Sequence, residues 1–305
     1  MQAKRILHFV QNDIENGMDT IQRMKTGMNA QKTVWVTGAS SGLGLHTATA
    51  LRDDGWRVIA GARSFTEGEK NGMMCLPLDV TDGESVRGFC RRAAEIAPPD
   101  ALVQCAGMLV LGSCEETETG EFRRVMDTNY LGMVRMNREV LPLMRARGGG
   151  KIVLFSSING LMGIPFQSAY TASKHAIEGY AECLALEVKP FGIQVMLVEP
   201  GDHRSGSDKY RPHAAAMTEH SPYAAAYESA TAQIHHDETN GSDPDALGRK
   251  IARILDRKRI PFRKRIASAD QHLAVYVHRF LGARINGAVL RKYYIRNKKD
   301  TGQAG

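Results

Sequence analysis

Nowhere in the 305 residues is there a run approaching the ~20 consecutive apolar side chains that cross a bilayer. The opening residues, MQAKRILHFVQNDIENG, also lack the continuous apolar centre of a secretory signal, so the expectation is a cytoplasmic protein. Cysteine is scarce. Cys75, Cys90, Cys105, Cys114 and Cys183 are odd in number and form no C-x-x-C pair, which excludes a disulfide framework and a cysteine-based zinc site. Most sit in apolar contexts and read as reduced core thiols. His235 and His236 are adjacent, point to different faces of any regular element, and so make no metal site. With 43% hydrophobic and 24% charged residues the composition is neither disordered nor fibrous, and the length suffices for one large core with a small appendage.

Acidic residues are nearly missing from one region. From Arg249 to Lys299 sixteen Lys and Arg stand against only Asp256 and Asp270, whereas the whole chain carries +7, so the remainder is net acidic. Such a tail is either a solvated helical face or a contact for an anionic partner, such as a membrane surface or an acidic carrier protein. No nucleic-acid motif accompanies the charge, and nucleic acid is not expected.

From residue 33 to 200 apolar strand-like runs alternate with helical patterns: TVWVT, a helix from Gly42 to Asp54, WRVIAGA, MCLPLDV, a helix after Thr81, DALVQCAG, helices to about Arg147, KIVLFSS, a helix from Ser168, and IQVMLVEP. The alternation implies an α/β fold: a Rossmann-type, doubly wound parallel sheet with helices on both faces, over residues 32–201. Residues 202–245 are small and polar with no strand, an expected lid inserted after a strand's carboxyl end. Residues 246–305 resume helical spacing among basic residues, a helical C-terminal extension. Residues 1–31 form an N-terminal extension with a partial stripe of Ile6, Leu7, Val10, Ile14 and Ile21, although a translation start at Met28 is an equal alternative.

After the first strand the chain reads Thr37-Gly38-Ala39-Ser40-Ser41-Gly42-Leu43-Gly44. Glycines allow a tight turn and close approach to a pyrophosphate, and the N–H groups of the following helix start favour phosphate charge. The context of strand, loop and helix is what gives such a glycine pattern weight. At the end of the second strand, Ala60-Gly61-Ala62-Arg63-Ser64 carries no acid for a ribose 2′-hydroxyl, and Arg63 is placed to pair with a 2′-phosphate. NADP(H) is therefore preferred, with NAD(H) as second choice.

The segment KIVLFSSINGLMGIPFQSAYTASK carries the chemistry. Tyr170 and Lys174 are four apart and share a helix face, where an ammonium favours a phenolate, and Ser157 ends the preceding strand. Between them Leu161, Met162 and Phe166 belong to an apolar run that must pass beside the reacting oxygen and so line a pocket for a hydrophobic substrate, or else pack the lid.

TGASSGLG, Asp79-Val80 after the third strand, Gln104-Cys105-Ala106-Gly107, Asn129 in a helix, and Ser157, Tyr170 and Lys174 in order resemble the short-chain dehydrogenase/reductase family over residues 33 to 205. The apolar loop and the basic extension are similar to the hydroxysteroid and retinol dehydrogenases of that family. The resemblance implies hydride transfer between a nicotinamide and a ketone, aldehyde or alcohol carbon without a metal. It would make Tyr170 the general acid/base, Ser157 the orienting partner, Lys174 the ribose ligand that lowers the tyrosine pKa, and Asn129 the holder of a relay water. Asp79 and Val80 would meet the adenine, and Ala106, Gly107, Pro200 and Gly201 would line the cofactor. Gln104-Cys105 departs from the family's Asn-Asn, and Pro200-Gly201-Asp202-His203-Arg204-Ser205 from its Pro-Gly-x-x-x-Thr. The expected substrate is steroid-like or retinoid-like. A reductase of carrier-bound 3-oxoacyl groups and a non-catalytic nucleotide-binding regulator are the alternatives. Association through the helices of Asn129 and Tyr170 implies a homodimer or homotetramer.

Overall fold

A computed structural model of the chain describes residues 31–206 and 211–295. The chain divides into Met1–Lys32 and Thr33–Gly305, and the second unit is the subject here. The stripe at Ile6 to Ile21, the Met28 start, and the last cations of the tail, Lys298 and Lys299, lie outside the described residues.

Eight strands form one sheet: β1 (Thr33–Thr37), β2 (Arg57–Ala62), β3 (Gly68–Lys70), β4 (Met73–Pro77), β5 (Ala101–Gln104), β6 (Gly150–Phe155), β7 (Ile193–Pro200) and β8 (Arg263–Ile266). Their order is β3-β4-β2-β1-β5-β6-β7-β8, parallel throughout except for the antiparallel β3–β4 pair. The strands are apolar on both faces because helices cover both. Trp35, Leu102, Ile152 and Leu154 pack toward α2 (Gly83–Ile96), α4 (Gly132–Ala146) and α5 (Ser168–Val188). The alternate residues Val34, Val36, Val103 and Val153 pack toward α1 (Gly42–Asp53) and α7 (Pro244–Leu255). Gly248 of α7 presses on the backbone of α1, where an added Cβ would meet the His46 carbonyl oxygen at 2.6 Å.

Local chemistry sets the helix ends. Asp82 caps α2 by accepting from Glu84 N at 3.0 Å, and Asp243, followed by Pro244, caps α7 by accepting from Asp245 N at 3.0 Å. Short α3 (Thr119–Met126) begins in a Glu118/Glu121 capping box and runs through a π-turn, Asp127–Leu131, into α4. Two further helices, α6 (Ala224–Thr239) and α8 (Ala269–Tyr294), stand over the carboxyl ends of the strands with the segment that follows β6. Helix α8 bends at Gly282, whose φ of 78° breaks the helical path.

Two strands escape the sequence pattern. The sheet is not wholly parallel, because β3 is a three-residue hairpin arm with a polar sequence, GEK. β8 reads RKRI, too basic to suggest a strand, and it pairs with β7 because Glu199, fully buried on β7, takes its cations. Arg263 Nη1 lies 2.7 Å from Glu199 Oε1 and Arg265 Nε 3.0 Å from Glu199 Oε2. Arg263 also pairs with Glu178 and, at 3.1 Å, with Glu182. The cysteines divide as well: Cys75 and Cys90 are core thiols, but Cys114 and Cys183 are exposed.

A buried carboxylate shared by two partly covered guanidinium groups is costly to remove from one side only. Glu199→Gln should lower unfolding stability by about 3 kcal/mol, read as a lower urea midpoint at unchanged slope.

Candidate active site

The strand order reverses at β1, which has β2 on one side and β5 on the other, so the loops leaving β1 and β5 bound a crevice at the carboxyl edge. Their backbones nearly touch. A Cβ on Gly38 would lie 2.6 Å from Ala106 N, and Gly38 holds φ of 68°, so only glycine fits. Gly44, on the first turn of α1, meets the Gly38 carbonyl oxygen just as tightly. Thr37 Oγ1 accepts from Ala106 N at 3.3 Å and locks the two loops together. Ser40 and Ser41 are exposed, Leu43 is half-buried, and Gly42 has φ of 53° with open space around its missing side chain. Ser41 occupies the N-cap of α1 without capping it through its side chain, so first-turn N–H groups remain for an anion. These residues fit the pyrophosphate of a dinucleotide.

Around the crevice, Arg63 is exposed at the end of β2. Asp79 accepts from Thr81 N at 2.9 Å and Thr81 Oγ1 at 2.7 Å. Partial burial works against its charge, but these bonds and the nearby charges of Arg63 and Arg135 hold its carboxyl below the usual range. Val80 is buried against Gly132, which has no room for a side chain there. Gln104, standing where the family pattern has asparagine, is buried and donates from Nε2 to Asn137 Oδ1 at 2.7 Å, and Asn137 donates to Tyr180 Oη at 3.1 Å. The lost asparagine is thus replaced by a polar chain joining β5 to α4 and α5.

The four expected chemical residues come together on the far side of the crevice. Asn129 lies in the π-turn, fully buried, where Oδ1 accepts from Met108 N at 2.7 Å and Nδ2 donates to Met108 O and Ser173 Oγ, each at 2.9 Å. Ser173 Oγ in turn donates to Tyr170 O at 2.7 Å. Ser157 Oγ accepts from Asn159 N at 3.2 Å, and its hydroxyl lies next to that of Tyr170, where it favours the ionised phenol. Lys174 Nζ donates to Phe155 O at 2.7 Å and stands 5.3 Å from the Tyr170 ring centre. Burial pushes the Tyr170 hydroxyl up to about 12, against the bond from Ser157 and the charge of Arg211, while Glu238 and Asp202 push it further. Burial lowers Lys174 to about 8. The expected depression of the tyrosine pKa by Lys174 is therefore not what the protein alone produces: desolvation outweighs it and keeps the phenol protonated.

Above the tyrosine, Arg211 Nη2 pairs with Glu238 Oε1 at 2.5 Å, and Gln271 Nε2 donates to Asp202 Oδ2 at 2.5 Å. Burial, then the charges of Glu238 and Asp237, raise Asp202 to about 7. Pro200 ends β7, and Gly201 passes too close to Gln271 and Ala267 for a side chain. His203 is buried, with Nδ1 2.8 Å from Gly201 O. Met162 and Phe166 are buried and Leu161 half-buried in an apolar cluster with Ala230 and Ile234 of α6 and Val275 and Tyr294 of α8. Phe166 adopts φ of 61°, and its ring meets Tyr227 edge-on at 5.3 Å. Sequence reasoning passed over Ser173, Arg211, Glu238 and Gln271. Only Ser173 carried a signal, its position one helical turn from Tyr170.

Fold and site define a nicotinamide-type oxidoreductase. A family model described as short chain dehydrogenase matches residues 32–215, and the chain belongs to the short-chain dehydrogenase/reductase family. It is an oxidoreductase acting on CH–OH donors, in a family that uses NAD(P)(H). A 3-ketodihydrosphingosine reductase of Bacteroides thetaiotaomicron is 38% identical over 262 residues, covering 86% of this chain and 97% of that protein. Retinol dehydrogenase 8 of Bos taurus is 32% identical over 78% of this chain and 82% of its own length. The human 17-beta-hydroxysteroid dehydrogenase type 1 is 38% identical over 56% of this chain and 57% of its own. A short-chain dehydrogenase of Streptomyces avermitilis has a similar structure, with TM-score 0.72 at 33% identity over 90% of this chain and all of that one.

Lys174 gives a pH signature independent of turnover. Its pKa is lowered on folding from 10.5 to about 8, so between those values the unfolded chain binds the extra proton and stability rises with pH. Chemical denaturation across that window should show a steeper rise for the native chain than for Lys174→Met, by up to about 1.4 kcal/mol per pH unit.

Proposed function

We propose that this protein is an NADP(H)-dependent carbonyl reductase of long-chain, predominantly apolar ketones, able to oxidise the corresponding alcohols in reverse. The observation that carries this reading is Tyr170, buried, protonated and next to Ser157, on a segment whose intervening residues bury in an apolar cluster under two helices. The nicotinamide, when bound, supplies the hydride. Ser157 and Tyr170 hold the carbonyl oxygen by two hydrogen bonds, and Tyr170 gives its proton to that oxygen as charge develops there. A phenol at about 12 is protonated at neutral pH and so can give its proton to a carbonyl oxygen. Lys174 is positioned to bind ribose hydroxyls and to stabilise the phenolate once it forms, and Asn129 positions the Tyr170 turn through Ser173. The segment after Gly201, with α6, acts as a lid.

The choice of a long-chain ketone over a steroid is supported by the extent of the match: the 3-ketodihydrosphingosine reductase aligns over nearly its whole length, the steroid dehydrogenase over little more than half. The test is turnover followed by nicotinamide absorbance on 3-oxo compounds of increasing chain length, with steroid ketones alongside. Efficiency should climb with chain length and exceed that on steroids. Tyr170→Phe should lower kcat about 10²–10⁴-fold while leaving NADPH affinity within a few-fold. Turnover near the native rate in that variant would refute the mechanism.

Exposed Arg63 is the only cation offered at the end of β2, and it supports NADP(H) over NAD(H). Arg63→Ala should weaken NADPH roughly tenfold by fluorescence titration and leave NADH nearly unchanged. Equal losses would remove the preference.

A further inference from the structure

Helix α8 is apolar on two sides, and only one of them is covered. Val275, Leu290 and Tyr294 face α6 and the segment after β6. On the other side Leu273, Tyr276 and Phe280 recur at helical spacing with 62%, 53% and 74% of their surfaces exposed, joined by Leu281, and Ile285 and Val289 are exposed as well beyond the bend at Gly282. A soluble helix ordinarily presents charged and polar groups there. Instead the Tyr276 and Phe280 rings stack on each other at 6.3 Å, in the open.

The charges around this row have one sign. Arg279, Arg284, Arg291 and Lys292 are all exposed, and no Asp or Glu occurs from Gln271 through Ile295. Arg265 of β8 adds its guanidinium, 5.8 Å from the Tyr276 ring centre. Aromatic and aliphatic side chains interleaved with cations, without acids, suit the interface of a bilayer bearing anionic headgroups: rings and aliphatics enter the acyl boundary while the guanidiniums stay at the phosphates. No helix among the described residues is long and apolar enough to cross a membrane, so the contact is peripheral.

We infer that the outer face of α8, centred on Leu273, Tyr276 and Phe280 and flanked by Arg279 and Arg284, docks the protein on the surface of an anionic bilayer. Charge complementarity selects the occupant. A second copy of the same face would set cation against cation, and a neutral surface would leave the guanidiniums without partners. The inference stands on this face alone and not on the identity of the substrate.

The experiment is flotation of the full-length protein with vesicles of phosphatidylcholine alone, or of phosphatidylcholine and phosphatidylglycerol in equal parts, at low and high salt. Binding should require phosphatidylglycerol and weaken as salt rises. The double variant Leu273→Asp, Phe280→Asp should bind about tenfold less or worse, and so should Arg279→Gln, Arg284→Gln. Both pairs are exposed and remote from Tyr170 in the chain, so turnover of a short water-soluble ketone should persist in both, which shows that they fold. Equal binding to neutral vesicles, undiminished binding by the variants, or no binding at all would overturn the inference. So would a concentration-dependent dimer in sedimentation velocity that the same substitutions dissolve, since a second copy would then be the occupant.

Discussion

Everything at the carboxyl edge of the sheet depends on one backbone contact, that of Gly38 with Ala106. With no side chain between them, the loops leaving β1 and β5 close to a separation that a methyl group would block. From Ala106 the chain continues to Met108, whose N–H and carbonyl are both held by Asn129, and Asn129 reaches Ser173 and so the backbone of Tyr170. The glycine-rich loop after β1 and Tyr170 on the far side of the crevice are thus joined by a short series of hydrogen bonds. Asn129 and Ser173 at the centre of the series are fully buried, so the bond between them is one the protein must supply itself. Small displacements of either loop would be felt at the other.

The electrostatics of the site have a direction. Burial penalises both charged forms, the Tyr170 phenolate and the Lys174 ammonium, and pushes their pKa values apart, the phenol up and the ammonium down. The result is a neutral acid beside a cation whose charge is easily lost, close to the acidic groups Asp202 and Glu238. Arg211 moderates that negative charge by pairing with Glu238. The acid–base character therefore belongs to the tyrosine together with the segment above it, and the conserved-looking quartet taken without its surroundings would misstate it.

What was legible in the sequence followed from periodicity and from spacing. Strands such as TVWVT and IQVMLVEP were readable end to end because burial on both faces makes them predominantly apolar and β-branched. Tyr170 and Lys174 could be paired because the helix fixes residues four apart on one face. β8 was opaque for the opposite reason: its pairing is specified by Glu199 and Glu178, sixty or more residues away in the chain, and no local pattern reports that. The same holds for Gln104, whose partner Asn137 lies on another element, and for Arg211, whose partner Glu238 is a helix away. Spacing conveyed the proximity of Lys174 to Tyr170 but not the desolvation that raises the phenol.

β8 also closes the sheet on that side. An outermost strand offers a row of unpaired amide and carbonyl groups to any strand of another molecule. Here the strand carries Arg263, Lys264 and Arg265 in succession; Glu199, Glu178 and Glu182 hold the two arginines, and an edge-to-edge approach of two copies would bring their Lys264 ammonium groups toward each other. The residues that made the strand hard to recognise are the ones that keep it from being extended, and they discourage growth into a continuous intermolecular sheet.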